Sequence, residues 1–226
     1  MRLLFVVLLG ILAGCAAPAP AAAPARPTAA ALADKTVALV AERYGEPRAY
    51  CTGVWIGQTS ILTAAHCVDD GEVTAYLERT DVELPSGTYK TPEAAPKRFA
   101  VVVKRDAFAD LALLRAISLP APHDVARVHF GSIAAGTHCA TVGHSLGLWY
   151  SYSSGEVAAV RFAELGEDRA QLWLQTTTPI SPGNSGGGLF DDAGELLGIA
   201  SSVAVRGANV GFFVPSSTIE AFLQGA

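Results

Sequence analysis

Charge is scarce in this chain: Lys, Arg, Asp and Glu make up 16% of its 226 residues, against roughly 25% in average soluble domains. The formal net charge is -5, and without a basic excess there is no electrostatic footprint for nucleic acid. Cysteine occurs only at Cys15, Cys51, Cys67 and Cys139; positions so scattered imply no metal site, and no cofactor is expected. Repeats of the solenoid kind are absent. The apolar run Leu3 to Leu12 falls short of the about 20 residues that cross a bilayer comfortably. The length is one that all-β sandwiches and barrels often reach as one or two closely packed lobes.

The N-terminus sets the compartment. Arg2 followed by Leu3 to Leu12 reads as an export signal. The next residues, Leu12-Ala13-Gly14-Cys15, resemble the bacterial lipobox, where the signal is cut before a cysteine that then receives lipid. On that resemblance residues 1–14 are a lipoprotein signal, and lipidated Cys15 holds the protein to a membrane through its acyl chains. The alternative is an ordinary signal peptide cut at a later small-residue site. Ala16 resembles the residue choice of lipoproteins sorted to the outer membrane, which points to a periplasm-facing anchor. From Ala16 to Ala31 Ala and Pro dominate, a composition expected to bury no core and to favour extended chain. Residues 15–33 are therefore read as a lipidated tether, and residues 34–226 as the folded domain.

Within that domain short β-rich runs follow one another with turn signals between them: Val37 to Val40, Cys51 to Ile56, Ser60 to Thr63, Val73 to Leu77, Phe99 to Lys104, Leu111 to Leu114, Cys139 to Val142, Val157 to Phe162 and Leu172 to Thr177. Gly188 to Val203 adds a hairpin turning at Asp191-Asp192-Ala193-Gly194. The pattern predicts an all-β sandwich or barrel. One helix is expected, at the C-terminus, where Ser217 and Glu220 have capping-box spacing.

Acyl transfer by serine needs a base within hydrogen-bond reach, a third group that fixes the base's tautomer, and donors aimed at the developing oxyanion. S-I-L-T-A-A-H-C places His66 just after an apolar strand, F-A-D-L-A-L-L-R places Asp110 at the head of another, and P-G-N-S-G-G sets Ser185 among glycines. Glycine lets the backbone approach a substrate carbonyl closely, so that the N–H groups of Gly183 and Ser185 can converge as an oxyanion hole.

In that order T-A-A-H-C, D-L-A-L-L and G-N-S-G-G resemble the chymotrypsin-type, or trypsin-like, serine peptidases. Within that class T-T-T-P-I-S-P-G-N-S-G-G-G-L-F, G-E-L-L-G-I-A-S, N-V-G-F-F-V-P-S and T-V-G-H-S-L-G-L are similar to the bacterial high-temperature-requirement proteases. The resemblance implies two six-stranded antiparallel β-barrels with a short C-terminal helix. It also implies a His66, Asp110, Ser185 triad acting on protein or peptide substrates through an acyl-enzyme. Cys51 and Cys67 bracket His66 as a disulfide does in secreted trypsin-like enzymes, and an oxidising envelope permits that bond. Cys139 is left as a buried free thiol. The chain stops after the C-terminal helix, so no PDZ domain is expected, and oligomeric state does not carry over. Asn184 stands where zymogen enzymes carry an Asp that receives a newly cut terminus, so no propeptide cleavage is expected. The pocket base implied by the resemblance is Pro179, with Ser201 and Val203 on the walls. No Asp or Glu lies between Arg169 and Asp191, which favours an apolar pocket for small or aliphatic residues. A histidine-based, glutamate-selective pocket is disfavoured because no histidine follows His144.

Gly143-His144-Ser145-Leu146-Gly147 matches the G-x-S-x-G elbow of α/β-hydrolases. That fold needs its histidine after the serine, so His144 and Ser145 are read as ordinary loop residues. Asp106 rivals Asp110, but follows Lys104-Arg105 and is expected to be a solvated charge, whereas Asp110 precedes the apolar L-A-L-L run. His123, His129 and His138 lack the flanking sequence of His66 and are expected to be surface or structural residues. An inert scaffold for envelope proteins is the competing class of function; casein turnover separates the two. Catalysis that needs neutral His66 is expected to climb from about pH 6 to 8.

Overall fold

The computed structural model describes residues 26–43, 46–68, 73–77, 97–117, 122, 124–164, 170–203 and 210–225. The signal, Cys15 and His123 lie outside these.

The first six strands are β1 (Thr36–Arg43), β2 (Glu46–Trp55), β3 (Ser60–Thr63), β4 (Val73–Leu77), β5 (Lys97–Asp106) and β6 (Leu111–Ala116). They close into an antiparallel barrel in the order β1-β2-β3-β6-β5-β4. Period-2 alternation explains how β2, β3 and β6 serve two cores. Trp55, Ile61, Ala112 and Leu114 fill the barrel, while their neighbours Val54, Leu62 and Leu111 face the other way, into a second apolar cluster.

The second half is built from β7 (His138–Gly143), β8 (Ser151–Glu164), β9 (Ala170–Thr176), β10 (Gly188–Phe190), β11 (Leu196–Val203) and β12 (Gly211–Pro215). Its order is β10-β11-β12-β9-β8-β7, and β7 pairs back onto β10 through Thr141 with Leu189 and Ala140 with Phe190. Ala140, Val142, Phe190, Ile199 and Val214 join Val54, Leu62 and Leu111 in one cluster, so the two halves share a seam. The predicted turn Asp191 to Gly194 joins β10 to β11, with Gly194 at φ 75° and the Asp191 carboxylate accepting from the N–H groups of Ala193 and Glu195. β8 begins six residues before the expected Val157, and β12 lies outside the predicted runs. Cys139 is buried and free, 3.2 Å from Thr178 Oγ1.

Among the described residues two α-helices close the seam. α2 (Ser216–Gln224) buries Ile219 and Phe222, and Lys104 of β5 reaches the Phe222 carbonyl and lies over its ring. This places a cation at the helix's negative end. The capping box does not form: extended Pro215 takes the N-cap position, Ser217 falls inside the first turn, and Glu220 accepts from Gln224 instead. The tether reading also fails at its C-terminal end. Ala29–Ala33 form α1, with Thr28 Oγ1 accepting from Ala31 N, and Leu32 and Ala33 are buried. Alanine, the strongest helix former, and a threonine cap overrule the expectation of extended chain. Among the described residues no helix is long and apolar enough to cross a membrane.

Candidate active site

His66 leaves the end of β3 on a 3-10 turn, Ala65–Cys67, and is half-exposed. The disulfide from Cys67 to Cys51 on β2 fastens that turn to the barrel wall. Asp110 stands at the head of β6 after a turn organised by Asp106, whose Oδ1 accepts from the N–H groups of Phe108 and Ala109. Asp106 is thus a turn residue rather than simply a solvated charge. Asp110 itself has φ 54°, a region Asp tolerates better than most side chains.

The Asp110 carboxylate is buried and meets His66 three times: Nδ1 lies 3.0 Å from Oδ1 and 2.9 Å from Oδ2, and the His66 backbone N–H donates to Oδ1 at 3.0 Å. Ser201 Oγ donates to Oδ2 at 2.5 Å. Burial alone would raise the Asp110 pKa, but the hydrogen bonds and positive field of His66, with the Ser201 hydroxyl, outweigh it and hold the carboxyl below its usual value. An ionised carboxylate only accepts, so Nδ1 carries a proton, and whenever the ring is neutral it is Nε2 that keeps the lone pair.

Ser185 lies in the loop between Ser181 and Gly187, where Gly183 has φ 101° and Gly186 φ 80°. A Cβ at Gly183 would come within 2.2 Å of the His144 carbonyl oxygen, so only glycine fits. The loop is gripped across the seam: Thr52 N–H of β2 donates to the Ser185 carbonyl at 2.8 Å, and Cys67 Sγ lies 3.6 Å from the same oxygen. His66, Asp110 and Ser185 therefore share one region of the seam. Among the described residues no hydrogen bond joins Ser185 Oγ to the His66 ring; such contacts often tighten only when substrate is bound.

The sequence profile of the trypsin-like peptidase domain matches residues 51–199, a stretch that contains His66, Asp110 and Ser185. The chain belongs to this family. Curated relatives of this trypsin-like chain include a probable periplasmic serine endoprotease, DegP-like, of Buchnera aphidicola subsp. Baizongia pistaciae, 27% identical over 78% of this chain and 36% of that protein. Another is the periplasmic serine endoprotease DegP of Escherichia coli K12, 28% identical over 71% of this chain and 31% of that protein. The chain thus spans about a third of those relatives' length. Among solved structures, the HtrA-type protease AlgW with tripeptide superimposes with a TM-score of 0.71 at 24% identity, over 88% of this chain and 63% of that one. A serine endoprotease from Yersinia pestis gives 0.66 at 23%, over 86% and 63%. These structures establish a shared fold.

The remaining trypsin-like candidates divide. Pro179 is exposed, and its carbonyl accepts from Ser153 Oγ at 2.6 Å. Ser201, expected on a pocket wall, donates its hydroxyl to Asp110. Val203 pairs with Gly211 in the sheet, and its side chain lies outside the described residues. His144 is no ordinary loop residue: it is fully buried, with Trp149 and Tyr150 edge-on at 4.5 and 5.2 Å. His129 and His138 pair with Glu195 and Asp192 beside the β10–β11 turn, as structural residues do. The sequence pointed to Ser201 and His144 but not to their pairing with Asp110 and Thr52, which are far away in sequence. The only sequence signal was a hydroxyl or imidazole beside buried apolar residues.

Proposed function

We propose that this chain is an exported serine endopeptidase. Ser185 Oγ attacks the peptide carbonyl, His66 Nε2 takes its proton and returns it to the leaving amine, and Asp110 stays ionised under the imidazolium. The N–H groups of Gly183 and Ser185 receive the oxyanion. Water then releases the acyl group from Ser185 by the same base. The observation that carries this reading is the doubled His66–Asp110 contact, set beside a glycine-rich loop that is held from the opposite half by Thr52.

The fold in which these residues act is the two-barrel chymotrypsin type, beginning with α1 rather than at Asp34. Its pocket takes small or aliphatic residues: half-buried Ile180 follows Pro179 and packs against the cluster around Cys139. Lipid on Cys15 anchors the enzyme to the envelope, facing the periplasm, as the sequence Leu12 to Ala16 suggests.

Labelling the mature chain with a fluorophosphonate, followed by peptide mass spectrometry, tests the chemistry. Modification is expected at Ser185 and lost in Ser185→Ala but not in Ser145→Ala; a folded protein that takes no label would favour the scaffold role. Incorporation of a labelled fatty acid, lost in Cys15→Ala, tests the anchor.

A further inference from the structure

Thr52, fully buried on β2, reaches across the seam with more than its backbone. Its Oγ1 lies 2.7 Å from the Gly183 carbonyl oxygen, 3.0 Å from His144 Nδ1 and 3.3 Å from the His144 backbone N. A hydroxyl has one proton to give and two lone pairs to offer. The Gly183 carbonyl can only accept, so it takes that proton, and Oγ1 accepts from both His144 groups. His144 is thereby fixed as the neutral Nδ1–H tautomer. Burial pushes its pKa down to about 3, and its Nε2 has no partner among the described residues. Among the described residues, the ring's hydrogen bond is to Thr52.

On the other side of Gly183, the Pro182 carbonyl accepts from Leu146 N at 2.8 Å. In a trans peptide the N–H points opposite to the preceding carbonyl, so the Gly183 N–H faces away from Leu146. Both carbonyls flanking this N–H are tied down, and rotating either peptide breaks a bond.

We propose that Thr52 is a positioning residue for the oxyanion loop: its hydroxyl, aimed by His144, holds the Gly183 carbonyl so that the Gly183 and Ser185 N–H groups stay directed at the reacting carbonyl. This rests on the Ser185 peptidase reading. Because the oxyanion develops in the transition state, the effect belongs to kcat rather than to KM.

The test uses the mature chain and its Thr52→Val, Thr52→Ala and Thr52→Ser variants, with active sites titrated by fluorophosphonate. kcat and KM are measured on a peptide amide with a small aliphatic residue at the cut, and affinity on a matching peptide boronate that forms a tetrahedral adduct. Val and Ala are expected to lose kcat on the order of 100-fold, as when an oxyanion donor is removed, with KM little changed and boronate affinity falling in step. Ser is expected to restore most of the loss. Wild-type kcat in folded Thr52→Val, or a Ser variant as impaired as Ala, would overturn the assignment. If Val and Ala do not fold, His144→Phe decides: it keeps the hydroxyl and the backbone N–H that donates to it but removes the closer ring donor, so a smaller kcat loss is expected, and none would overturn the part assigned to the His144 ring. A wild type that neither turns over nor labels brings down the peptidase reading and this assignment together; an active wild type with an unaffected Val variant removes this assignment alone.

Discussion

Ser201 Oγ donates to Asp110 Oδ2 at 2.5 Å, from a strand of the second half to the head of a strand in the first. The hydrogen bond spans 91 residues of sequence and stabilises the charged form of a carboxylate that burial alone would neutralise. Ser201→Ala is therefore expected to raise the Asp110 pKa and to lower kcat by about tenfold, a fraction of the roughly 1.5–3 kcal/mol that a hydrogen bond to a charged group contributes. Steady-state kinetics from acid to neutral pH checks this, and an unchanged acid limb would count against the stated role.

Asp110 and Asp106 should part company under mutation. Asp110→Asn removes the acceptor that fixes the His66 tautomer, and kcat is expected to fall on the order of 10⁴-fold. Asp106→Ala removes only a turn cap, at a cost of about 1 kcal/mol of stability, with kcat retained. Parallel turnover assays and urea melts separate the two.

Acid sensitivity follows from His144. Its folded pKa of about 3 lies below the 6.5 of an ordinary histidine, so between those values the unfolded chain binds a proton that the folded chain refuses. Stability is then full above about pH 6.5 and falls by roughly 1.4 kcal/mol per pH unit on acidification toward pH 3. Asp110 acts in a lower window. Its folded pKa is depressed, so its contribution is present above the ordinary aspartate value of 3.8 and is lost as pH falls through the folded pKa. Urea midpoints measured from pH 7 to pH 4 should show the slope, and His144→Phe should flatten it.

The Cys51–Cys67 disulfide closes a sequence separation of 16. Reduction, or the double substitution to serine, is expected to remove about 3 kcal/mol in the chain-entropy picture. Denaturant midpoints with and without reductant measure it directly.

Leu32 gives a sharp test of where the folded domain begins. It is fully buried in the seam cluster, so Leu32→Ala should destabilise by about 2–5 kcal/mol. A substitution within a free tether would leave the midpoint unmoved.

The sequence by itself determined the strands whose apolar residues alternate, the glycines around Ser185, and the residue types a serine acyl transfer needs, because each depends on neighbours a few positions away. It placed β3 and β4 at their observed bounds for that reason. It misjudged α1, where local alanine propensity and a threonine cap matter, because the surrounding Ala/Pro composition suggested only a tether. Tertiary structure alone decided what the seam brings together: Ser201 onto Asp110, and Thr52 onto both His144 and Gly183. Their hydrogen bonds link positions 91 to 131 residues apart. No local pattern encodes such pairs, because a buried hydroxyl or imidazole is satisfied by whichever partner the packing of the two halves delivers.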